Sequence, residues 1–388
     1  MEKHIFVLTK LIQCAVTDNL IDESIKEIID NDMLESIYKK AELHVLTHLV
    51  AYGLWKCGLL DEQTEIGRKY SHSMLKANVR QEKLNYEYGR ICKLLESNEI
   101  KFIPLKGAVL RNLYPEAWMR LSCDIDILIH PNDLNTAVDL INRGLNYSIG
   151  KRGEYDMSLF SENGVHLELH FGIMEKMFKG SSEFERIWSS ATPISEGSMQ
   201  LAMSDDVFYY HHILHMAKHF EANGCGIRFF LDTWMFNNSK EVNLKGDYKK
   251  MLSDIGLLKF EEASRKLSNV WFSNEEHNRL TKNMQGFIVK SGIYGTSDNY
   301  FAFMQMRYGG KTQYAKSRIL LPYEKMLEIY PVLSNHKWLL PFYQIRRWAA
   351  ILIKGRLKSS VKELKDNSEI SEEYVKKVKS LFDSLGIN

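Results

Sequence analysis

Proline is scarce in this chain of 388 residues: there are seven, the first is Pro104, and none lies between Pro193 and Pro322. A proline inside a helix removes a hydrogen bond and clashes with the preceding turn, so two long stretches are free of the strongest helix breaker. Cysteine is sparse too. The five (Cys14, Cys57, Cys92, Cys123, Cys225) are odd in number and contain no C-x-x-C pair. That excludes a disulfide framework and the common paired-thiol zinc motifs and fits reduced thiols. Charge of one sign is missing as well, because 51 Lys and Arg stand against 49 Asp and Glu. A net charge of +2 is no electrostatic signature of a nucleic-acid binder. No apolar run reaches the length needed to span a bilayer. The opening segment MEKHIFVLTKLIQCAV is interrupted by Lys10 and Gln13 and has no small-residue cleavage site, so it reads as an amphipathic helix and not a signal peptide. Internal repeats and low-complexity tracts are absent. A soluble, cytoplasmic protein with room for about two or three domains is expected.

The residues that are present divide the chain into three. Apolar side chains recur at helical spacing through residues 1–97, as in Leu43, Val45, Leu46, Leu49 and Val50, with a long last helix ending near Ser97-Asn98. Residues 98–200 change character. Lys101–Leu105 (KFIPL) reads as a short strand, Gly107–Leu113 as a short helix stopped at Pro115, and Cys123–Ile129 as a second strand. Pro131-Asn132-Asp133 opens a helix to about Arg143. Gly153–Phe160 and Val165–Phe171 read as strands joined through Glu162-Asn163-Gly164, and Asn-Gly is a strong hairpin signal. Residues 201–388 return to helical spacing. The fold class is therefore α+β, with a small mixed sheet embedded between N-terminal and C-terminal helical regions.

Candidate chemistry begins in LSCDIDILI, Leu121–Ile129. Strand alternation turns Asp124 and Asp126 to one side of an otherwise apolar segment. Two carboxylates on one face repel unless a cation joins them, and Mg²⁺ is usually held by one or two carboxylates plus substrate phosphates. The structural alternative is an edge strand with two solvated carboxylates. Pro104-Leu105-Lys106-Gly107 is a strand end turning into a helix, where a glycine lets phosphate approach the backbone and a lysine adds a mobile cation. In Val165–Phe171, alternation groups His166, Glu168 and His170 on one face. If that strand neighbours the aspartate strand, Glu168 completes a three-carboxylate cage suited to two divalent cations.

The order strand, glycine turn, helix, D-x-D strand and a later strand carrying Glu168 resembles the polymerase-β-like nucleotidyltransferase superfamily. Within it, PLKGAVLRNLYPEAWMRLSCDIDILI together with Glu168-Leu169-His170 looks like a family of uncharacterised bacterial nucleotidyltransferases, over roughly residues 40–235. The resemblance implies Mg²⁺ (or Mn²⁺) on Asp124, Asp126 and Glu168, with an NTP as co-substrate facing Lys106 and Gly107. It further implies transfer of NMP to the hydroxyl of an unknown acceptor, with Glu168 or Asp126 as general base; a small molecule, a protein hydroxyl and a tRNA end are all compatible. Arg120 and Ser122, just before the D-x-D strand, are candidates for phosphate contact, and so is Arg111. One departure from the superfamily pattern is Ala108, which leaves the glycine turn without its usual hydroxyl. A catalytically silent nucleotide-binding scaffold is the alternative.

Residues 211–219, HHILHMAKH, admit three readings. His211 and His215 at i and i+4 could share a metal, as in a metal-dependent phosphohydrolase, although no HExxH glutamate is present. The second makes Lys218 and His219, with Arg228 and Asp232, a substrate-binding wall; the family resemblance favours it over zinc, and places His170 beside the same site. The third is a structural set of helix histidines, His212 included. Finally, Gln344–Lys365 carries seven Lys or Arg against one Glu, with Trp348 and aliphatics between. It is expected to be a solvated basic face whose apolar side packs on its own protein.

Overall fold

The computed structural model describes residues 2–353, 355 and 357–387. Five strands form one mixed sheet in the order β1 (Phe102–Pro104), β2 (Asp124–Ile129), β5 (His166–His170), β4 (Asp156–Phe160), β3 (Ser148–Arg152). β2 and β5 run parallel and the other neighbours antiparallel. The helices before and within this unit are α1 (Glu2–Val16), α2 (Glu23–Lys26), α3 (Asn31–Leu43), α4 (Thr47–Lys56), α5 (Glu65–Ser97), α6 (Gly107–Leu110), α7 (Leu134–Leu145) and α8 (Phe184–Ser190). Then come α9 (Asp205–Ala222), α10 (Ile227–Asn238) and further helices from Asp247 to Leu385. The fold is α+β, with helices flanking a small mixed sheet.

Local signals explain the elements. The Thr64 hydroxyl caps α5 by accepting from Gly67 N–H, and a proline-free 33-residue helix follows. α7 starts after Pro131 and stops at Asn146, which takes the left-handed conformation (φ 58°) that asparagine tolerates. The β4–β5 turn uses Gly164 at φ 76° and is closed by Ser161, whose hydroxyl accepts from Val165 N–H at 2.9 Å. β3 is the strand that alternation does not reveal. All five of its residues are exposed, so no apolar face marks this edge. Its partner β4 is correspondingly shorter than the Gly153–Phe160 expected.

Alternation sorts the sheet into two faces. Ile125, Ile127, Ile129, Leu167 and Leu169 are buried against Leu84, Ile91 and Leu95 of α5 and Leu134, Val138 and Ile141 of α7. The other face, with Asp124, Asp126, Glu168 and His170, looks toward α9 and α10. A larger core joins α1, α3, α4, α9, α10 and the later helices. There the opening segment is a helix with Ile5, Leu8, Leu11 and Ile12 buried. All five cysteines are free thiols.

The basic tail departs from expectation. Its helix Leu340–Ile353 turns Gln344 and Arg347 inward, onto the carbonyls of Leu321 and Ile319, while Phe342, Ile345, Leu352 and Ile353 face solvent. The apolar side is thus not packed on the protein, because the polar side chains find carbonyl partners there. Lys354 and Arg356 lie outside the described residues.

α9 is anchored at its start. Ser204 accepts from Val207 N–H, and buried Asp206 accepts from the backbone N–H groups of Lys245, Gly246 and Tyr248 at 2.8, 2.9 and 3.2 Å. Replacing Asp206 with alanine strands three donors, so urea unfolding of Asp206→Ala is expected to show a loss of about 1.5–3 kcal/mol.

Candidate active site

Parallel pairing sets Asp124 opposite His166 and Asp126 opposite Glu168, so the carboxylates of two strands crowd together. Lys106 Nζ donates to Asp126 Oδ1 at 2.6 Å and lies 4.0 Å from Glu168 Oε2. His170 Nε2 is 2.8 Å from the same Asp126 oxygen and 3.4 Å from Glu168 Oε2. Burial pushes the Asp126 carboxyl up, yet the Lys106 ammonium and the His170 hydrogen bond outweigh it and hold the group below the usual range. Burial also opposes charge on Lys106 and His170, and the carboxylates overcome it, raising both. Asp124 differs. Burial, then the charge of Asp126, pushes its carboxyl up to about 6, and among the described residues no side-chain hydrogen bond reaches it. Among the described residues, the groups placed to hold a metal ion are Asp124, His166 and Glu168, and Asp126, Glu168 and His170.

The glycine turn is built around this cluster. Leu105 N–H donates to Asp126 O at 3.0 Å, pinning the end of β1 to β2. Lys106 then adopts φ 46° and ψ −117°, a backbone region costly for a side-chain-bearing residue. Gly107 follows because a Cβ there would stand 1.9 Å from Ser122 Oγ. Ser122 therefore brings to the turn the hydroxyl that Ala108 does not. Arg111 is turned inward, onto Gly107 O and Asn85 Oδ1, and is not in the cavity wall.

Facing the carboxylates is a wall from α9 and α10, with a cavity of about 240 Å³ between. Lys106, Gly107, Arg120, Ser122, Asp124, Asp126, Glu168, Lys218, His219, Arg228 and Asp232 all border it, so the structure gathers these sequence-nominated residues at one place. His170 does not border it; it lies behind Asp126, stacked on Tyr155. Asp232 is fully buried and accepts from Arg120 Nε at 2.6 Å and from the Tyr114 hydroxyl at 2.7 Å. Arg228 donates to Leu121 O at 2.8 Å; burial, then the charge of Arg120, holds its guanidinium below the ordinary range. Buried Arg120 takes Asp232 as its partner and half-buried Arg228 has no carboxylate in contact among the described residues, which favours an incoming anion. Lys218 donates to the Tyr155 hydroxyl and pairs with Glu175 at 2.8 Å.

The α9 histidines form no metal cluster among the described residues. His215 and His219 meet Nε2 to Nε2 at 3.0 Å, so one ring donates and the other accepts. Thr233 gives its proton to Phe229 O, so His212 Nε2 is the donor in its 3.0 Å contact with Thr233. Burial pulls His211 down to about 3, helped by Lys106, and His219 to about 3, helped by Lys218; His212 falls to about 4. Sequence reasoning missed Tyr155, His215 as a wall residue, Cys123, Phe229 and Tyr294. His215 was within reach, sharing the helix face of His212 and His219. Tyr155 falls in the stretch read as a strand but stands in the bend just before β4, and Tyr294 stands in a turn that carries no periodic signal.

Two measurements test these contacts. Asp232→Ala leaves Arg120 buried without its carboxylate, and a loss of about 3–5 kcal/mol is expected in denaturant unfolding, with a smaller loss for Asp232→Asn. For the histidines, the folded state binds fewer protons than the unfolded chain below pH 6.5. Their stability contribution is therefore intact above that pH and declines as pH falls toward about 3–4. Each ring is worth up to about 1.4 kcal/mol per pH unit in that window, so urea midpoints should drop steeply from pH 7 to pH 5, and less steeply in His211→Gln.

Comparison with known proteins yields one family. The model of the uncharacterised nucleotidyltransferase family matches residues 31–273. No curated protein matches. Among solved structures, a Thermotoga maritima CCA-adding enzyme complexed with tRNA is similar at 12% identity and a TM-score of 0.24, over 80% of this chain and 84% of that one. The family match rather than this likeness carries the assignment. It takes in more than half of the chain and every cavity residue through Asp232, and the chain belongs to the uncharacterised nucleotidyltransferase family.

Proposed function

We propose that the chain transfers a nucleoside monophosphate from an NTP to a hydroxyl of an acceptor, with divalent metal ions on Asp124, Asp126 and Glu168. The observation that carries this is the register of β2 and β5, which sets three carboxylates on one face beneath a cationic wall. The donor set fits a hard cation such as Mg²⁺ or Mn²⁺: carboxylate oxygens predominate, and half-buried Asp124 lies beside Asp126 with no side-chain hydrogen bond among the described residues. Four cations (Lys106, Arg120, Lys218, Arg228) and four carboxylates (Asp124, Asp126, Glu168, Asp232) border the cavity. A balanced site cannot by itself neutralise a triphosphate, so added cations are required for the nucleotide to enter. When bound, the metal would stabilise charge on the attacking and leaving oxygens.

The protein's own residues then position the reactants. Arg120, Arg228, Ser122 and the Gly107 backbone form the anion-binding end, with Lys106 between phosphates and carboxylates. Lys218 and His219 close the opposite side. His170 holds Asp126 in place without facing the cavity. The acceptor oxygen bonds to the α-phosphorus as the bond to the departing pyrophosphate breaks. Asp126 Oδ1 already accepts from Lys106 and His170, which leaves Glu168 as the better-placed acceptor of the hydroxyl proton.

Incubation with each α-labelled NTP, Mg²⁺ or Mn²⁺ and cell extract tests the reading. Pyrophosphate release and a labelled acceptor are expected, abolished by chelator. Asp124→Ala and Asp126→Ala should each lower the rate by about 10²–10³-fold or more. Nucleotide binding with no turnover under any combination would instead support a silent nucleotide-binding scaffold.

A further inference from the structure

The helix Leu340–Ile353 is amphipathic in the wrong sense for a soluble core. On its inner side, Gln344 Nε2 donates to Leu321 O at 2.6 Å, Arg347 Nη2 to Ile319 O at 2.6 Å, and Trp348 Nε1 to Ile319 O at 2.9 Å. Its outer side carries Phe342 (61% exposed), Ile345 (70%), Leu352 (57%) and Ile353 (86%), all within one helical stripe, with Trp338 (77%) just ahead of it. Single exposed apolar residues are ordinary, but a contiguous stripe of this kind marks an interaction surface.

From this stripe and its charge we infer that the helix docks on an anionic lipid surface, lying in the plane of the membrane. Arg346 sits within the stripe, and Lys337, Lys358 and Lys362 flank it in sequence. The one carboxylate between residues 340 and 365, Glu363, is taken up by Arg318 at 2.6 Å. Cations around an apolar face complement anionic head groups above an acyl boundary, and a tryptophan at one end suits the interfacial zone. A second copy of the chain fits less well. A two-fold contact through this stripe would bring Arg346 toward its own counterpart, and the helix Leu340–Ile353 itself carries no carboxylate to separate them. No described helix is long and apolar enough to cross a membrane, and a stripe of about 20 Å along the helix axis suits shallow insertion. The inference is independent of the nucleotide site.

Co-sedimentation of the full chain with phosphatidylglycerol–phosphatidylcholine vesicles and with pure phosphatidylcholine vesicles tests it. Partition onto the anionic vesicles is expected to be about 10-fold or more the stronger, weakened by salt, and reduced about 10-fold in F342E/I345E. Brominated lipid should quench a fluorescence component that W338F lacks. The variant's far-UV spectrum and nucleotide binding should match the parent, separating lost docking from lost folding. A parent protein that stays in the supernatant with anionic vesicles overturns the inference. So does a dimer in light scattering that F342E/I345E converts to monomer, because the stripe would then be covered by a second copy.

Discussion

Parallel pairing of β2 with β5 forces Asp126 and Glu168 side by side, with Asp124 two residues along on the same face. Such a cluster repels itself, and burial makes the repulsion worse. Much of the site's construction answers that one difficulty. Lys106 is held in a strained backbone conformation that delivers its ammonium to Asp126. His170, at the end of β5, supplies a second hydrogen bond to the same oxygen. Asp124 receives neither, and the outcome is a carboxyl pushed up to about 6. The compensation is thus partial, concentrated on Asp126, and it leaves a local deficit of positive charge at Asp124.

A second imbalance lies a few residues away and has the opposite sign. Arg120 is buried and Arg228 half-buried; Asp232 is bonded to Arg120, while Arg228 donates to a backbone carbonyl. A site that lacks cations at one end and anions at the other is suited to a ligand bringing both, as a metal-bound triphosphate does. The histidines of α9 fit between these ends because neutral rings fill polar space without adding to either imbalance. Their cost appears in acid, where burial opposes protonation.

Much of this was legible in the sequence wherever a period or a turn residue carried the information. The D-x-D alternation, the Asn163-Gly164 hairpin and the apolar face of β5 each fix orientation locally, and the register of β2 against β5 follows from burying Ile125, Ile127, Leu167 and Leu169 on one side. Edge strand β3, exposed along its length, had no such signal. Nor did the reason for Gly107, which is steric and supplied by Ser122 from a different segment. Asp232 and Arg120 are 112 positions apart, and nothing in either neighbourhood announces that one is the counter-ion of the other. Periodicity reports which way a side chain points; it does not report which distant side chain it meets.

The tail shows the same limit from the opposite direction. Helical spacing gives an amphipathic segment over Gln344–Lys365, which the structure divides between the helices Leu340–Ile353 and Leu357–Glu369, but spacing alone does not say which face turns inward. Packing usually settles that in favour of the apolar side. Here unpaired carbonyls at Ile319 and Leu321 sit beneath the helix and are satisfied by Gln344, Arg347 and Trp348. Each of these contacts adds a modest net hydrogen bond, while the aliphatic side chains on the far side stay in water. The inner face is thus held by hydrogen bonds and not by hydrophobic burial, and the apolar stripe is left on the outside.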